Sequence, residues 1–466
     1  MKAVRYVGQK GCTHKSYQEA LANNHVVVST MLSDANVTLR FEIDGKPLHI
    51  HLSKNCRDFL DFATCVYILD ELIPREEMAD GWTRGFELLF PVHAPALWES
   101  AAERLEGMLR TLTGDEYKFA FPETTAFQSL GSHRQHLPGG YDAVCLFSGG
   151  MDSLLGAYRL LTAQKRVLLV GHQADGTAAS AQSELARQLA AIFPPVNGLP
   201  RFRLIQCRVA RSMSQSQRLP LPEKREETHR PRSLLFLSLA IAIAGPTQIK
   251  EIYLPENGLI ALNPVLQKSR IGTLSTRTAH PLFLEQFWNL TRELGVFEGD
   301  IRNPFLYMSK TDMLSRDSSD PQLKPLLLRS VSCARPNKYK DRGVRHCGYC
   351  IPCLYRRISM MELGLDRSAD YAFDVFSGLA GMSPLTQLDF RALVSFAKRV
   401  ERSSAFQREA MVLSHGTFSP ALGERFGPHA INDYRIWSEM LSRWALDCLV
   451  KVQKFSSAAT KQILTI

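Results

Sequence analysis

Apolar runs of strand length alternate with stretches of helical periodicity through the middle of the chain. Ala143-Val144-Cys145-Leu146-Phe147 is an unbroken apolar run. Beyond Ser148-Gly149-Gly150-Met151-Asp152-Ser153, the positions Leu154, Leu155, Tyr158 and Leu161 fall on one helical face. Strand, tight loop and helix is the expected order. Segments 166–172 and 202–207 read as further strands, 178–192 as a helix between them, the apolar 234–244 as a buried helix and 249–254 as another strand. Unbroken apolar strands joined by helix-length connections predict a parallel, doubly wound α/β sheet covered on both faces.

The pattern differs on either side. Val37-Thr38-Leu39-Arg40-Phe41-Glu42-Ile43 alternates, Asp44-Gly45 is a hairpin turn signal, and 48–52 alternates again. Helices are expected over 59–72 and 96–112, with strand-like segments at 86–91 and 117–121. We read 1–137 as an N-terminal α+β docking domain without a catalytic set. His49 and His51, on one strand face, read as a solvent-facing pair rather than metal ligands. A linker at 133–140, ending in Pro138-Gly139-Gly140, leads into the doubly wound domain, 138–370. Residues 371–466 form a helical C-terminal region whose Trp and Phe residues, at amphipathic spacing, belong to the core.

Composition narrows the class. The chain has 466 residues, 45% hydrophobic and 22% charged, as expected for a globular protein of two or three domains. No apolar run reaches membrane-spanning length and the N-terminus lacks a signal-peptide core, so a cytoplasmic protein without a membrane partner is expected. The net charge of +10 is concentrated: residues 201–232 carry +6 and 329–357 carry +7. Both windows fall in the expected α/β domain, where they could neutralise a triphosphate. Nucleic acid remains an alternative partner, less favoured because neither window interleaves aromatics in the manner of a single-strand platform.

The chemistry concentrates at two motifs. In the Ser148 loop, adjacent glycines let the backbone approach an anion while free N–H groups and a helix N-terminus attract it. Ser148, Gly149, Gly150, Met151 and Ser153 are the candidate nucleotide contacts, joined by His172 at the end of the next strand. Asp152, out of place beside a polyanion, is expected to hold Mg²⁺. No Lys-Ser or Lys-Thr follows, so this is not a Walker loop. The second motif is Cys333 with Cys347-Gly348-Tyr349-Cys350-Ile351-Pro352-Cys353, whose spacing suits a structural Cys₄ Zn²⁺ site, with an iron–sulfur cluster as the alternative. Arg230 and Arg232 at the entrance of the 234–244 helix are phosphate candidates. Lys310, after the capping Ser309, is a candidate for the leaving pyrophosphate. Glu256 and Asn257, at a strand's carboxyl end, are candidates for reading a heterocycle, or else an ordinary turn.

The SGGxDS loop resembles the PP-loop of ATP pyrophosphatases. Together with Arg230-Pro231-Arg232-Ser233-Leu234-Leu235-Phe236, Ser309-Lys310-Thr311, the four clustered cysteines and Arg356, it resembles the 7-cyano-7-deazaguanine synthase (QueC) family over residues 140–366. The chain departs from that family at Ser233, where an Asn is usual, and in its long extensions at both ends. In its extended form it is similar to the QueC-like proteins of bacterial anti-phage operons, the QatC type. The resemblance implies an adenine nucleotide α hydrolase fold and an ATP-dependent ligase that adenylates 7-carboxy-7-deazaguanine, releasing pyrophosphate and then AMP. It assigns catalytic roles to Asp152, Arg232 and Lys310. It also implies that the activated deazaguanine passes to an amine of a partner protein from the same operon, of the QatB type. The alternatives are the nitrile synthase that uses ammonia, and a nucleotide-gated scaffold without chemistry.

Overall fold

A computed structural model describes residues 26–30, 36–125, 130, 135–211, 225–226, 228–264, 266, 279–317, 319–414 and 433–465. The start of the 133–140 linker lies outside these residues. The strands are β1 (Val37–Ile43), β2 (Lys46–Pro47), β3 (Gly85–Leu89), β4 (Glu116–Ala120), β5 (Ala143–Leu146), β6 (Val167–His172), β7 (Phe202–Arg211), β8 (Glu251–Tyr253) and β9 (Asp300–Arg302). The helices that matter below are α1 (Lys54–Leu72), α2 (Pro95–Thr113), α3 (Met151–Thr162), α4 (Gly176–Ile192), α5 (Arg232–Thr247), α6 (Gly258–Leu262), α7 (Pro281–Glu293), α8 (Lys310–Arg316), α9 (Leu323–Arg329) and α10 (Ile351–Glu362). Near the end come α11 (Val375–Gly378), α12 (Pro384–Arg402), α13 (Ala405–Ser414), α14 (Asp433–Phe455) and α15 (Ala458–Leu464).

A seven-stranded sheet in the order β2-β1-β7-β6-β5-β8-β9 forms the centre, and β5 to β9 are mutually parallel. Strand alternation divides its core in two. Val144, Leu146, Leu168, Val170, Ile205 and Cys207 join one cluster with the side chains of α5 and α1, while Ala143, Cys145, Phe147, Val167 and Leu169 join another with those of α3 and α4. Helices therefore cover both faces, which is why the strands read as unbroken apolar runs. The chain builds β5, β6 and β7 outward in one direction and then returns to place β8 and β9 on the other side of β5. This reversal opens a crevice between the carboxyl ends of β5 and β8, the place where open α/β sheets bind ligands.

The expected domain boundary at residue 137 is not a structural divide. The whole of β1 pairs antiparallel with β7, from Val37 opposite Arg211 to Ile43 opposite Ile205. Val37, Phe41 and Ile43 are buried in the same cluster as α5. The reason is edge protection: β7 would otherwise present unpaired backbone groups. The alternation at 37–43 revealed a strand but could not name its partner. Asp44 and Gly45 both have positive φ (47° and 77°), as the hairpin turn requires. The return strand is shorter than expected, Lys46–Pro47 only, with one further bond, from Leu48 N to the Phe41 carbonyl at 2.9 Å, beyond it. His49 meets His136 edge-on at 5.6 Å rather than forming a metal pair with His51.

The C-terminal helices are core, and also buttress. Trp444 on α14 packs edge-on against Tyr355 of α10 and against Phe396 of α12. Asp447 accepts a hydrogen bond from Thr311 Oγ1 at 2.9 Å and pairs with Lys451 at 2.6 Å, so α14 braces the helix that begins at Lys310.

Candidate functional site

The loop after β5 lies at the crevice. Gly149 takes φ 82°, which a side chain rarely adopts, and a Cβ there would stand 3.0 Å from Ala181 Cβ, so α4 closes the loop from one side. Ser148 Oγ accepts from Gly150 N at 3.3 Å and lies 3.1 Å from Ser153 Oγ, which donates to the Gly150 carbonyl. The two hydroxyls thus brace the turn. Gly156, a turn and a half into α3, sits against Pro255: an added Cβ would come within 2.2 Å of its ring. That contact fixes the distance between the Ser148 loop and the Glu256 strand end.

Asp152 ties both sides of the crevice together. It is 7% exposed. Its Oδ2 accepts from Asn257 N at 3.2 Å and from Asn257 Nδ2 at 2.5 Å, and its Oδ1 pairs with Lys310 Nζ. Asn257 Oδ1 in turn caps α6 through Ile260 N. Lys310 enters the crevice because the Ser309–Asp312 capping box starts α8 there. Three residues singled out in sequence, Asp152, Asn257 and Lys310, therefore meet. Two expected roles change. Asn257 holds the aspartate and a helix start instead of presenting its amide to a heterocycle. Asp152 has both oxygens engaged by protein donors and a lysine ammonium where Mg²⁺ was expected; the donors present do not fit a protein-held Mg²⁺.

Glu256 is half-buried beside this pair. Burial and the Asp152 charge push its carboxyl up to about 8, against the pull of Lys310 and Arg232. A carboxyl whose folded pKa exceeds its unfolded value binds its proton more tightly in the folded protein. Its stabilising contribution is complete below the ordinary value of 4.5 and is lost as pH rises through about 8. The melting temperature should therefore fall between about pH 5 and pH 8, and Glu256→Gln should flatten that fall. A wild-type and variant pair with parallel pH–melting curves would refute the assignment.

Behind the loop lies a cavity of about 90 Å³, walled by Phe147, Ser148, Ser153, His172, Phe236 and Glu256 among others. Typical small-molecule pockets begin near ~300 Å³, so this one has room for one end of a ligand rather than a whole nucleotide. A larger hollow of about 540 Å³, around Phe193, Pro195 and Phe202, lies at the amino end of β7, away from these groups. His172 is buried, and burial lowers its imidazole to about 4. Its Nε2 accepts from Val209 N at 3.3 Å, while Nδ1 has no partner among the described residues. Arg232, the first residue of α5, is half-exposed and makes no hydrogen bond or ion pair through its guanidinium among the described residues. Arg230, expected as a second phosphate contact, turns inward: its guanidinium donates to the Thr113 carbonyl at 2.7 Å and lies over Trp82. Its backbone N–H meets Asp70, within the buried Asp70–Arg84–Asp115–Arg75 ion network.

The four cysteines converge. Their Sγ atoms lie within 4.8 Å of one another. The Cys347–Cys353 separation is 3.8 Å, matching the roughly 3.8 Å edge of a thiolate tetrahedron with Zn–S bonds of about 2.3 Å. Contacts from the other three thiols hold Cys333 well below the ordinary thiol range and push Cys350 and Cys353 up. The cluster can hold a metal ion and is compatible with zinc; among the described residues it is the one such cluster of three or more His, Cys, Asp or Glu. It is also stitched to the Ser148 loop. Val331 N donates to the Gly149 carbonyl at 2.9 Å and Ser332 Oγ accepts from Met151 N at 3.3 Å, directly before Cys333. Arg356 is buried behind this seam and donates to Ser330 Oγ and the Leu327 carbonyl, both at 2.8 Å. The basic segment that follows reaches α4, where Asn337 meets Thr177.

Sequence reasoning missed the contributions from far along the chain. Tyr67 and Glu71 of α1, from a region read as lacking chemistry, stand at the rim: Tyr67 meets His172 edge-on at 5.8 Å. Their i, i+4 spacing put them on one helical face, the single signal available. Ser332 and Asp447 carried no local signal. No protein-family model matches the chain, and comparison with curated proteins likewise gives no match.

Proposed function

We propose that this chain is an ATP-dependent, carboxylate-adenylating ligase of the PP-loop, QueC-like type, acting on 7-carboxy-7-deazaguanine and passing it to an amine. The observation that supports the reading best is the position of the Ser148 loop at the strand-order reversal, with Lys310 and Arg232 converging on the same crevice. The loop's N–H groups and the two serine hydroxyls would receive phosphate oxygens. The substrate carboxylate attacks the α-phosphorus, and the bond to pyrophosphate breaks. Arg232 and Lys310 offset the charge that develops on the leaving group, Lys310 from a position set by Asp152. The amine then attacks the acyl carbon and AMP departs. The apolar walls, Phe147 and Phe236, limit water access to the acyl phosphate. Zinc, bound by the four cysteines, would serve as a structural clamp holding Ser332 and Val331 on the loop.

The decisive test is carboxylate-dependent exchange of pyrophosphate into ATP, followed by intact-mass analysis of the proteins co-expressed from the operon. Exchange together with a deazaguanine mass on a partner protein is the expected result. Absence of exchange with this carboxylate would overturn the adenylation reading, and efficient release of the free nitrile from ammonia would return the chain to the small-molecule synthases.

A further inference from the structure

We propose that His229, oriented by Glu71, is the proton acceptor for the amine that attacks the acyl adenylate, so that the N-terminal half supplies part of the acyl-transfer machinery. This rests on the adenylation reading above and assigns its second half-reaction. His229 lies three residues before Arg232, and its Nδ1 is 3.3 Å from Glu71 Oε1. Its ring stacks on Tyr67 at 6.0 Å and 19°, and the same Tyr67 ring meets His172 in the cavity wall. The imidazole is therefore one ring removed from His172, which walls the cavity, and sits just before the start of α5.

Three features distinguish this histidine from a packing residue. Its backbone has φ 45°, a left-handed conformation costly for a side chain with a Cβ and retained where the surroundings impose it. Here Arg232 N donates to the His229 carbonyl and Arg230 N to Asp70, holding the bend from both sides. The side chain is 41% exposed while Glu71 is 15% exposed, so the carboxylate is sheltered and the imidazole is open. Glu71 Oε1 is an ion-pair neighbour of Nδ1 at 3.3 Å without hydrogen-bond alignment in the resting structure; in the proposed step this contact closes, placing the proton on Nδ1 and leaving Nε2 its lone pair, the arrangement of a carboxylate-oriented base. Glu71 raises the basicity of His229 against the effect of burial. For Glu71, burial alone would raise the carboxyl, but His229 and the Tyr67 hydroxyl turn the shift downward.

The other groups at the crevice are committed elsewhere. Lys310 is paired with Asp152, whose oxygens are both engaged. Glu256 keeps its proton near neutrality. His172 accepts from Val209 N and is buried. In the proposed step the amine nitrogen bonds to the acyl carbon, the bond from that carbon to the phosphate oxygen breaks, and its electron pair leaves with AMP. The amine proton passes to Nε2 of His229, which later releases it to water.

The test compares two readouts on the full chain supplied with ATP, 7-carboxy-7-deazaguanine and ammonia: pyrophosphate exchange for the adenylate, and mass-detected amide for transfer. His229→Ala should lower the ratio of amide formation to exchange by about 100-fold, within the range for a general base, and Glu71→Gln by about 10-fold, less because the base itself remains. Added imidazole should restore part of the transfer in His229→Ala, which a purely structural role would not allow. A ratio unchanged in both variants, or parallel loss of both readouts without imidazole rescue, would overturn the assignment. Wild-type protein without exchange would remove the adenylation reading itself, and this step with it.

Discussion

Asp152→Asn is expected to abolish carboxylate-dependent pyrophosphate exchange and to destabilise the fold by about 3–5 kcal/mol, because it leaves the Lys310 ammonium buried without its counter-charge. Both side chains are 9% exposed, so solvent cannot replace the lost partner. The two effects are separable. Lys310→Met combined with Asp152→Asn removes both charges, and such neutral replacements of buried pairs recover most or all of the stability lost by breaking one partner. The double variant should therefore melt close to wild type while remaining inactive, because the proposed adenylation requires the Lys310 charge at the leaving pyrophosphate. Thermal or urea unfolding and the exchange assay check both parts. An active double variant would show that the pair is only a structural staple across the crevice.

Removing the metal should have an equally large effect. One zinc per chain is expected by elemental analysis. Structural zinc carries on the order of 10 kcal/mol of binding free energy in small zinc sites at neutral pH, much of it expressed as folding of the ligating segment. Cys347→Ser, or prolonged exposure to a strong chelator, should release 331–353. The Ser148 loop would then lose the Val331 and Ser332 contacts that hold Gly149 and Met151. Exchange activity should disappear together with amide hydrogen-exchange protection at 149–151, although none of the four cysteines touches the crevice floor. Metal-free protein that keeps both protection and activity would refute the coupling.

Several parts of the fold were legible from neighbours along the chain. The strand–loop–helix at Ala143 to Leu161 declared itself through an apolar run, two glycines and a change of period. The cysteine spacing alone pointed to a metal cluster. Other readings misplaced residues whose roles depend on distant partners. Arg230 and Arg232 look equivalent in sequence; Asp70 and Thr113 claim the first, while the second is left at the crevice. Asn257 looked like a ligand contact or a turn, and it does the work of a helix cap and an aspartate clamp at once. The hairpin at 37–47 was readable, but its docking on β7 was not, because alternation specifies which face is apolar and not which edge is vacant.

The sequence by itself determined the element types, the Ser148 loop and the Cys₄ set, since these rest on periodicity, backbone freedom and short spacing. Only the tertiary structure decided which charges meet. Asp152 finds Asn257 and Lys310 across 105 and 158 residues, and His229 finds Glu71 and Tyr67 on a helix from the other end of the chain. Those encounters follow from the order of strands in the sheet and from helices packed on its faces. Pairing energies fall off within a few ångströms, so packing geometry rather than local pattern assigns each buried charge its partner.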